Sequence, residues 1–295
     1  MNPLFSHRMG VGTWAWGDRL FWGYGRGYGE GALEGAFRAS LEAGVRLFDT
    51  AEFYGFGLSE RLLGRFMAKA GARPYLVTKF FPYPWRLSRR SLLEALKGSL
   101  GRLGVEAVDL YLLHWPWPPV PLRVWAEALA EAYERGLARG VGVCNATLAQ
   151  VAEVKGVLDR HGVPLLALQV EYSLLKRDWE PHLQALRREG IALMAYSPLA
   201  MGWLTGKLDP KAPPPGYRGA KYRPLLGKVE RLLPVLKALA EAKGTSPAAI
   251  ALRYLVEKGA LPIPGAKNEA QARMNAEALR IALLPEEVAL LQGAA

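Results

Sequence analysis

YLVTKFFPYPWRLSRRSLLEALKGSLGRLGVEAVDLYLLH, residues 75–114, carries one complete structural repeat of the chain. It opens on a short, mostly apolar run, Tyr75–Phe80, and closes on another, Asp109–His114. Between them Leu92, Leu93, Leu96, Leu100 and Leu103 recur at three- and four-residue spacing, the apolar stripe of a helix over Ser88–Gly104. Ser88 is a suitable N-cap, and Gly104 stands where such a helix should stop. Neither flanking run alternates polar with apolar, which is the pattern of strands buried on both faces. The unit therefore reads as strand, helix, parallel strand.

The same alternation continues in both directions. Further strand candidates are Val11–Trp14, Arg46–Thr50, Val141–Cys144, Leu165–Val170, Ala192–Tyr196 and Leu261–Pro264. Helical patterns lie between them at Leu122–Ala138, Thr147–Arg160, Asp178–Arg188, Lys228–Lys243 and Asn268–Leu279. Thr147 is a second candidate N-cap, and Gly162, Gly190 and Gly244 fall at expected helix ends. Eight strand-then-helix units close a (β/α)8 TIM barrel, which needs about 250 residues. With 295 residues and no mid-chain linker, the expectation is one α/β domain over residues 1–295. Two segments stand apart: the glycine–tyrosine stretch Gly23–Gly31, and the Pro-rich, basic loop 206–224, long enough to act as a lid.

Half of the residues are apolar and 22% are charged, the balance of a globular domain. No 18-residue apolar run is present, so no membrane span is expected. The N-terminus has no apolar core followed by a small-residue cleavage site, and the expected location is the cytoplasm. A single cysteine, Cys144, excludes an internal disulfide framework and a cysteine-based zinc site, and no metal is expected. The net charge of +11 comes from dispersed arginines, a solvated surface rather than a nucleic-acid patch, although such a field also attracts small anions. The barrel is expected to be a monomer.

Asp49 and Tyr54 in FDTAEFYG, Lys79 in LVTKF and His114 in LYLLHWP fall at or just beyond the C-terminal ends of three consecutive strands. That end of a barrel is where its loops build an active site. A lone lysine there is ordinarily a solvated charge and a lone buried histidine a core residue; four such residues together suit one chemistry. Hydride delivery to a carbonyl carbon leaves an alkoxide that needs a proton and a stabilising field. A tyrosine can donate that proton, and a neighbouring ammonium lowers its pKa. On this reading Tyr54 is the proton donor, Lys79 its ammonium, Asp49 the carboxylate that holds the lysine, and His114 a neutral imidazole that orients the carbonyl.

This tetrad, in this order, resembles that of the aldo-keto reductase superfamily. The resemblance runs through GVGTWAWG, VGVCN (141–145), LQVEYSLL (168–175), AYSPLAMGWLTGK (195–207) and IPGAKNEAQARMN (263–275). These motifs are similar to the branch of bacterial and plant reductases and potassium-channel β subunits. The resemblance implies NADPH-dependent reduction of a small-molecule aldehyde or ketone. It places Thr13, Trp14, Asp49 and Cys144 beside the cofactor, Asn145 and Gln169 on the nicotinamide carboxamide, and Tyr196 against its ring. Ser197, Pro198, Leu199, Gly202 and Lys207 would follow the pyrophosphate, with Arg218 reaching in from the 206–224 loop as a cofactor clamp. Gly265, Lys267, Gln271 and Asn275 would take the adenosine end. Two of these points stand on the residues themselves: helix N-termini favour phosphate, and Asn268 opens a helix just after Pro264-Gly265. Lys267 at that turn suits a 2′-phosphate and hence NADPH over NADH. The family often has Ser where Cys144 stands, and Glu where Met274 stands.

Gly27-x-Gly29-x-x-Ala32 followed by Asp49 formally matches a Rossmann fingerprint, but that motif must start at a strand end, and here a Trp- and Gly-rich stretch intervenes. Two rival readings are an NADPH-binding redox sensor or regulatory subunit with slow turnover, and a barrel isomerase or lyase that binds no NADPH. Trp16, Trp22, Tyr24, Phe53, Phe81, Trp85 and Trp115 lie on loops at the active-site face, either lining an aromatic pocket or packing beneath those loops.

Overall fold

In the computed structural model, which describes residues 1–295, eight parallel strands follow one another in chain order round a single sheet. They are β1 (Val11–Gly12), β2 (Leu47–Asp49), β3 (Tyr75–Phe80), β4 (Leu110–Leu113), β5 (Val141–Cys144), β6 (Leu165–Glu171), β7 (Ala192–Tyr196) and β8 (Leu261–Pro262). The ring closes through glycine. Gly12 bridges Gly265, the Gly10 amide donates to the Pro262 carbonyl and the Gly12 amide to the Pro264 carbonyl, both at 3.0 Å. A Cβ on Gly12 would stand 2.8 Å from the Ile263 carbonyl oxygen, so a side chain there would prise the seam open. The result is the (β/α)8 barrel, in one domain.

The outer helices are α1 (Glu30–Glu42), α2 (Leu58–Ala70), α3 (Arg89–Leu103), α4 (Leu122–Glu134), α5 (Leu148–Arg160) and α6 (Leu183–Arg188). They continue with α7 (Tyr217–Tyr222), α8 (Leu226–Ala242), α9 (Pro247–Glu257), α10 (Glu269–Ala276) and α11 (Pro285–Ala294). Helix α9 is buried nearly all round, from Ala248 through Leu255, and its apolar residues there are interrupted only by Arg253. Thr147 caps α5 in a full capping box with Gln150. Ser88 occupies the N-cap position of α3, but its side chain makes no capping bond. The helix expected over Asp178–Arg188 is only α6, preceded by a 3-10 turn over Glu180–His182 that contains Pro181. The 206–224 segment is not loop throughout, because α7 and a 3-10 turn at Arg223–Leu225 occupy its second half. No helix is long and apolar enough to cross a membrane.

The core has two parts. The larger lies between the sheet and the helices; the smaller fills the barrel with Leu47, Val77, Leu110, Leu112, Cys144, Ala167, Met194 and Ile263 among others. The N-terminus plugs its lower end: Leu4 joins this inner cluster, and Asn2 Nδ2 donates to the carbonyls of Leu166 (2.7 Å) and Gly190 (2.8 Å). Side chains alternate along a strand. Two residues beyond the inward Leu47, Val77, Leu112, Ala167 and Met194 come Asp49, Lys79, His114, Gln169 and Tyr196. The inner face thus turns from apolar to polar at one end of the barrel.

Candidate active site

Lys79, at the end of β3, has no exposed surface, and everything around it is arranged to hold its charge. Its ammonium donates to Asp49 Oδ1 at 2.6 Å, to the Thr50 carbonyl at 2.7 Å and to the Tyr54 hydroxyl at 3.3 Å. The other Asp49 oxygen accepts from Gln169 Nε2 at 2.7 Å. Burial alone would lower the lysine, but the Asp49 carboxylate and the Tyr54 phenol outweigh it, and its pKa lies above the ordinary value. Burial pushes the Asp49 carboxyl up, against the pull of Lys79 and Gln169.

Tyr54 sits in a 3-10 turn, Tyr54–Gly57, whose Gly55 and Phe56 have positive φ. Its ring packs edge-on to His114 at 5.8 Å. Burial pushes the phenol up to about 12, and Lys79 only partly offsets it. The expected lowering by the ammonium is therefore present in direction but loses to desolvation in size, so the group is a protonated donor at neutral pH. Burial and then the Lys79 charge hold His114 well below the ordinary histidine range, which makes it a neutral imidazole. Its Nδ1 is buried without a hydrogen-bond partner.

A cavity of about 600 Å³ opens over this group. Of the residues expected at a cofactor, Trp14, Asp49, Asn145, Gln169, Tyr196, Ser197, Pro198, Leu199, Gly202, Lys207, Arg218, Gly265, Lys267, Gln271 and Asn275 line it. Asn145 joins two strand ends, since Nδ2 donates to the His114 carbonyl (3.1 Å) and Oδ1 accepts from the Tyr196 hydroxyl (2.9 Å). At the far end Gln271 accepts from the Lys267 amide (2.9 Å) and Asn275 donates to the Gly265 carbonyl (3.1 Å), which fixes the turn into α10. Asn268 caps that helix.

Two expected residues do not reach the cavity. Thr13 is fully buried, with its hydroxyl bonded to the Asp49 carbonyl (3.0 Å) and to Ser59 (2.7 Å), so it joins β1 to β2 and α2 instead. Cys144 points into the barrel core, where burial pushes its thiol up and leaves it inert. Among the aromatics, Trp22, Phe53, Phe81 and Trp115 line the cavity. Trp16 instead packs between Phe48 and Phe66, Tyr24 packs on Tyr28, and Trp85 lies on the surface.

The backbone after β7 is unusual. Ser197, Ala200, Met201 and Gly202 all have positive φ, and Gly202, at 101°, takes a value that a side chain rarely permits. Such turns direct successive amides toward one point, a common anion cradle. Lys207, Arg218, Lys221 and Lys267 line the cavity as well. Glu171, which the motif reading passed over, is a cavity carboxylate held by Lys176 (2.8 Å), Lys221 (2.9 Å) and the Tyr222 hydroxyl (2.7 Å). It ties α7 to the end of β6, and its only sequence signal is its place two residues beyond the inward Gln169. The Lys267 ammonium stands 4.9 Å from both the Trp22 and Tyr28 ring centroids. That contact brings the Gly–Tyr stretch against the α10 turn.

The model of the aldo/keto reductase family matches residues 8–295. The chain is 38% identical to a chloroplastic pyridoxal reductase of Arabidopsis thaliana, in an alignment covering 100% of this chain and 85% of that protein. Among solved structures, a glycerol dehydrogenase of Gluconobacter oxydans superposes with a TM-score of 0.85 at 26% identity, covering 97% of this chain and 90% of that one. An aldo-keto reductase of Klebsiella pneumoniae, crystallised with NADPH, superposes with a TM-score of 0.75 at 28% identity over the same shares.

Proposed function

Because the chain belongs to the aldo/keto reductase family and is an oxidoreductase of that family, we propose that it reduces an aldehyde or ketone to the alcohol with NADPH, Tyr54 giving the proton. The observation that carries this reading is the Asp49–Lys79–Tyr54 chain of buried contacts beside a neutral His114, at the floor of one cavity.

The residues present fit the dinucleotide. A cluster of cations and a left-handed backbone run suit phosphates at one end, while amide side chains and a tyrosine line the end nearer Tyr54. Asn145, Gln169 and Tyr196 would hold the nicotinamide, Ser197–Gly202 with Lys207 and Arg218 the pyrophosphate, and Lys267 a 2′-phosphate. When bound, the cofactor supplies hydride to the carbonyl carbon. The protein's own work is at the oxygen. His114, neutral, donates a ring N–H to the carbonyl oxygen without adding charge, and so aligns the carbonyl. Tyr54 holds its proton at neutral pH and releases it as negative charge gathers on the substrate oxygen. Lys79 stabilises the phenolate that remains, and Asp49 fixes Lys79 in place. Aromatic walls and buried surroundings keep water from competing for the charge.

The Arabidopsis relative is named for pyridoxal, a planar aromatic aldehyde, and the walls formed by Phe53, Phe81 and Trp115 suit a carbonyl of that kind. An NADPH-oxidation assay with a panel of reactive aldehydes, comparing wild type with Tyr54→Phe, tests the reading. Expected are turnover by wild type, about a 10²–10⁴-fold loss in the variant, and unchanged NADPH affinity. Equal rates would remove Tyr54 from the proton step. NADPH binding without turnover in either protein would favour a redox sensor.

A further inference from the structure

Two segments leaving neighbouring strands repeat one alternation of aromatic residue and proline. They are Phe81-Pro-Tyr83-Pro-Trp85 after β3, and Trp115-Pro-Trp117-Pro after β4. Proline fixes φ and stiffens each segment, so the rings stand in set positions. They form two rows leading from His114 to solvent. In one, Phe53 stacks on Phe81 (4.4 Å between centroids), Phe81 meets Tyr83 (4.7 Å), and Tyr83 stacks on Trp85 (4.7 Å, planes 7° apart). In the other, Trp115 lies 6.4 Å from His114 and stacks on Trp117 at 4.8 Å. The rows meet where Phe81 stands edge-on to Trp117, 5.7 Å apart.

Exposure rises outward along both rows. Phe53, Phe81 and Trp115 line the cavity, whereas Trp117 is 44% and Trp85 71% exposed. The outer rings are buttressed from below: the Arg86 guanidinium lies 5.0 Å from the Tyr83 ring centroid and pairs with Glu52. Glu52 also accepts from the Phe81 amide at 2.8 Å, which locks the loop after β2 to the loop after β3. Stiff, exposed, contiguous aromatic surface running out of a cavity is the signature of a ligand surface rather than of packing.

We propose that these two rows are an extension of the substrate site, taking the outer ring of a carbonyl compound two or more aromatic rings long, with Trp85 and Trp117 as its specificity residues. The proposal rests on the reductase reading and deepens it. What the surface offers is ring faces. Residues 81–93 and 115–126 contain no Asp, Glu, Asn or Gln, and Glu52 is already engaged. A sugar ring needs carboxylate or amide side chains to bracket its hydroxyls beside the stacked face, and these segments carry none, whereas an arene needs only the stack.

The test compares benzaldehyde with 4-biphenylcarboxaldehyde in wild type, Trp85→Ala and Trp117→Ala, with NADPH saturating. Both substitutions are at exposed side chains outside the Asp49–Lys79–Tyr54–His114 group. Each variant is expected to lose about three- to ten-fold in kcat/KM for the biphenyl substrate, through KM, the size of one ring contact, and to change less than about two-fold for benzaldehyde. Parallel changes for the two substrates, or none, would overturn the subsite. Calorimetric titration with 4-biphenylmethanol reads the same contact without turnover: weaker binding in both variants supports the proposal, and unchanged binding refutes it. A wild type that binds the biphenyl alcohol but reduces neither aldehyde counts against the reductase reading alone.

Discussion

Replacing Lys79 with methionine perturbs the buried group at its centre. The ammonium, with no exposed surface, contacts Asp49 (2.6 Å), the Thr50 carbonyl (2.7 Å) and the Tyr54 hydroxyl (3.3 Å). Methionine fills similar space without charge and leaves Asp49, 2% exposed, with only the Gln169 amide. Removing one partner of a buried pair costs about 3–5 kcal/mol. At about 2–4 °C per kcal/mol for a large single domain, Tm should fall by about 6–20 °C. Tyr54 also loses the charge that opposes burial, its pKa climbs further, and reduction should slow by about 10²–10⁴-fold. The double variant Asp49→Asn/Lys79→Met removes both charges at once and should regain most of the lost stability but none of the activity. Without Lys79, burial holds the Asp49 carboxyl protonated, so the folded state binds more protons than the unfolded one. The stability of the single variant should therefore rise relative to wild type as pH falls from about 7 to about 5. Differential scanning calorimetry and NADPH oxidation on the three proteins decide the matter. A double variant no more stable than the single, or a single variant that melts with wild type, would refute the unpaired-charge account.

Three further outcomes are expected. His114 titrates below its unfolded value of about 6.5, so folding sheds a proton there and stability declines as pH drops through about 6.5. His114→Gln should flatten that acid limb in Tm-versus-pH scans, and parallel curves would show that the imidazole does not contribute. Lys267→Ala should raise the Kd for NADPH at least about ten-fold more than that for NADH, as loss of a charged phosphate contact requires; equal losses by calorimetry would place the 2′-phosphate contact elsewhere. Asn2→Ala leaves the Leu166 and Gly190 carbonyls unpaired at the base of the barrel and should cost about 1–3 kcal/mol in denaturant melts with activity intact. An unchanged midpoint would make the N-terminal plug ornamental.

Much of the site was legible because a strand's side chains alternate. Once Val77 and Leu112 are read as inward, Lys79 and His114 must be inward too, two residues nearer the barrel's open end. The motif after β8 was equally open to reading, since a Pro-Gly turn followed by Asn268 is a helix start on local grounds. Thr13 and Cys144 do not line the cavity, for a reason that motif position does not show. Each sits beside a cofactor motif in sequence, but a side chain on the buried face of its own strand, or one layer deeper in the barrel, never meets the cavity.

The strand order, the barrel and the four polar residues at its end thus follow from local periodicity and chain order, which are properties of the sequence. The rest depends on how the elements pack in space. Tyr54 rises to about 12 although Lys79 is beside it, because desolvation depends on everything packed around the ring. The Glu52–Arg86 lock, the Glu171–Lys221 pair and the Lys267 contact with Trp22 and Tyr28 join residues about 35 to 250 positions apart, with no local signal to announce them. The two aromatic rows were visible as proline-spaced rings, but that they face one another across the mouth of the cavity is set by the neighbouring positions of β3 and β4 in the closed sheet.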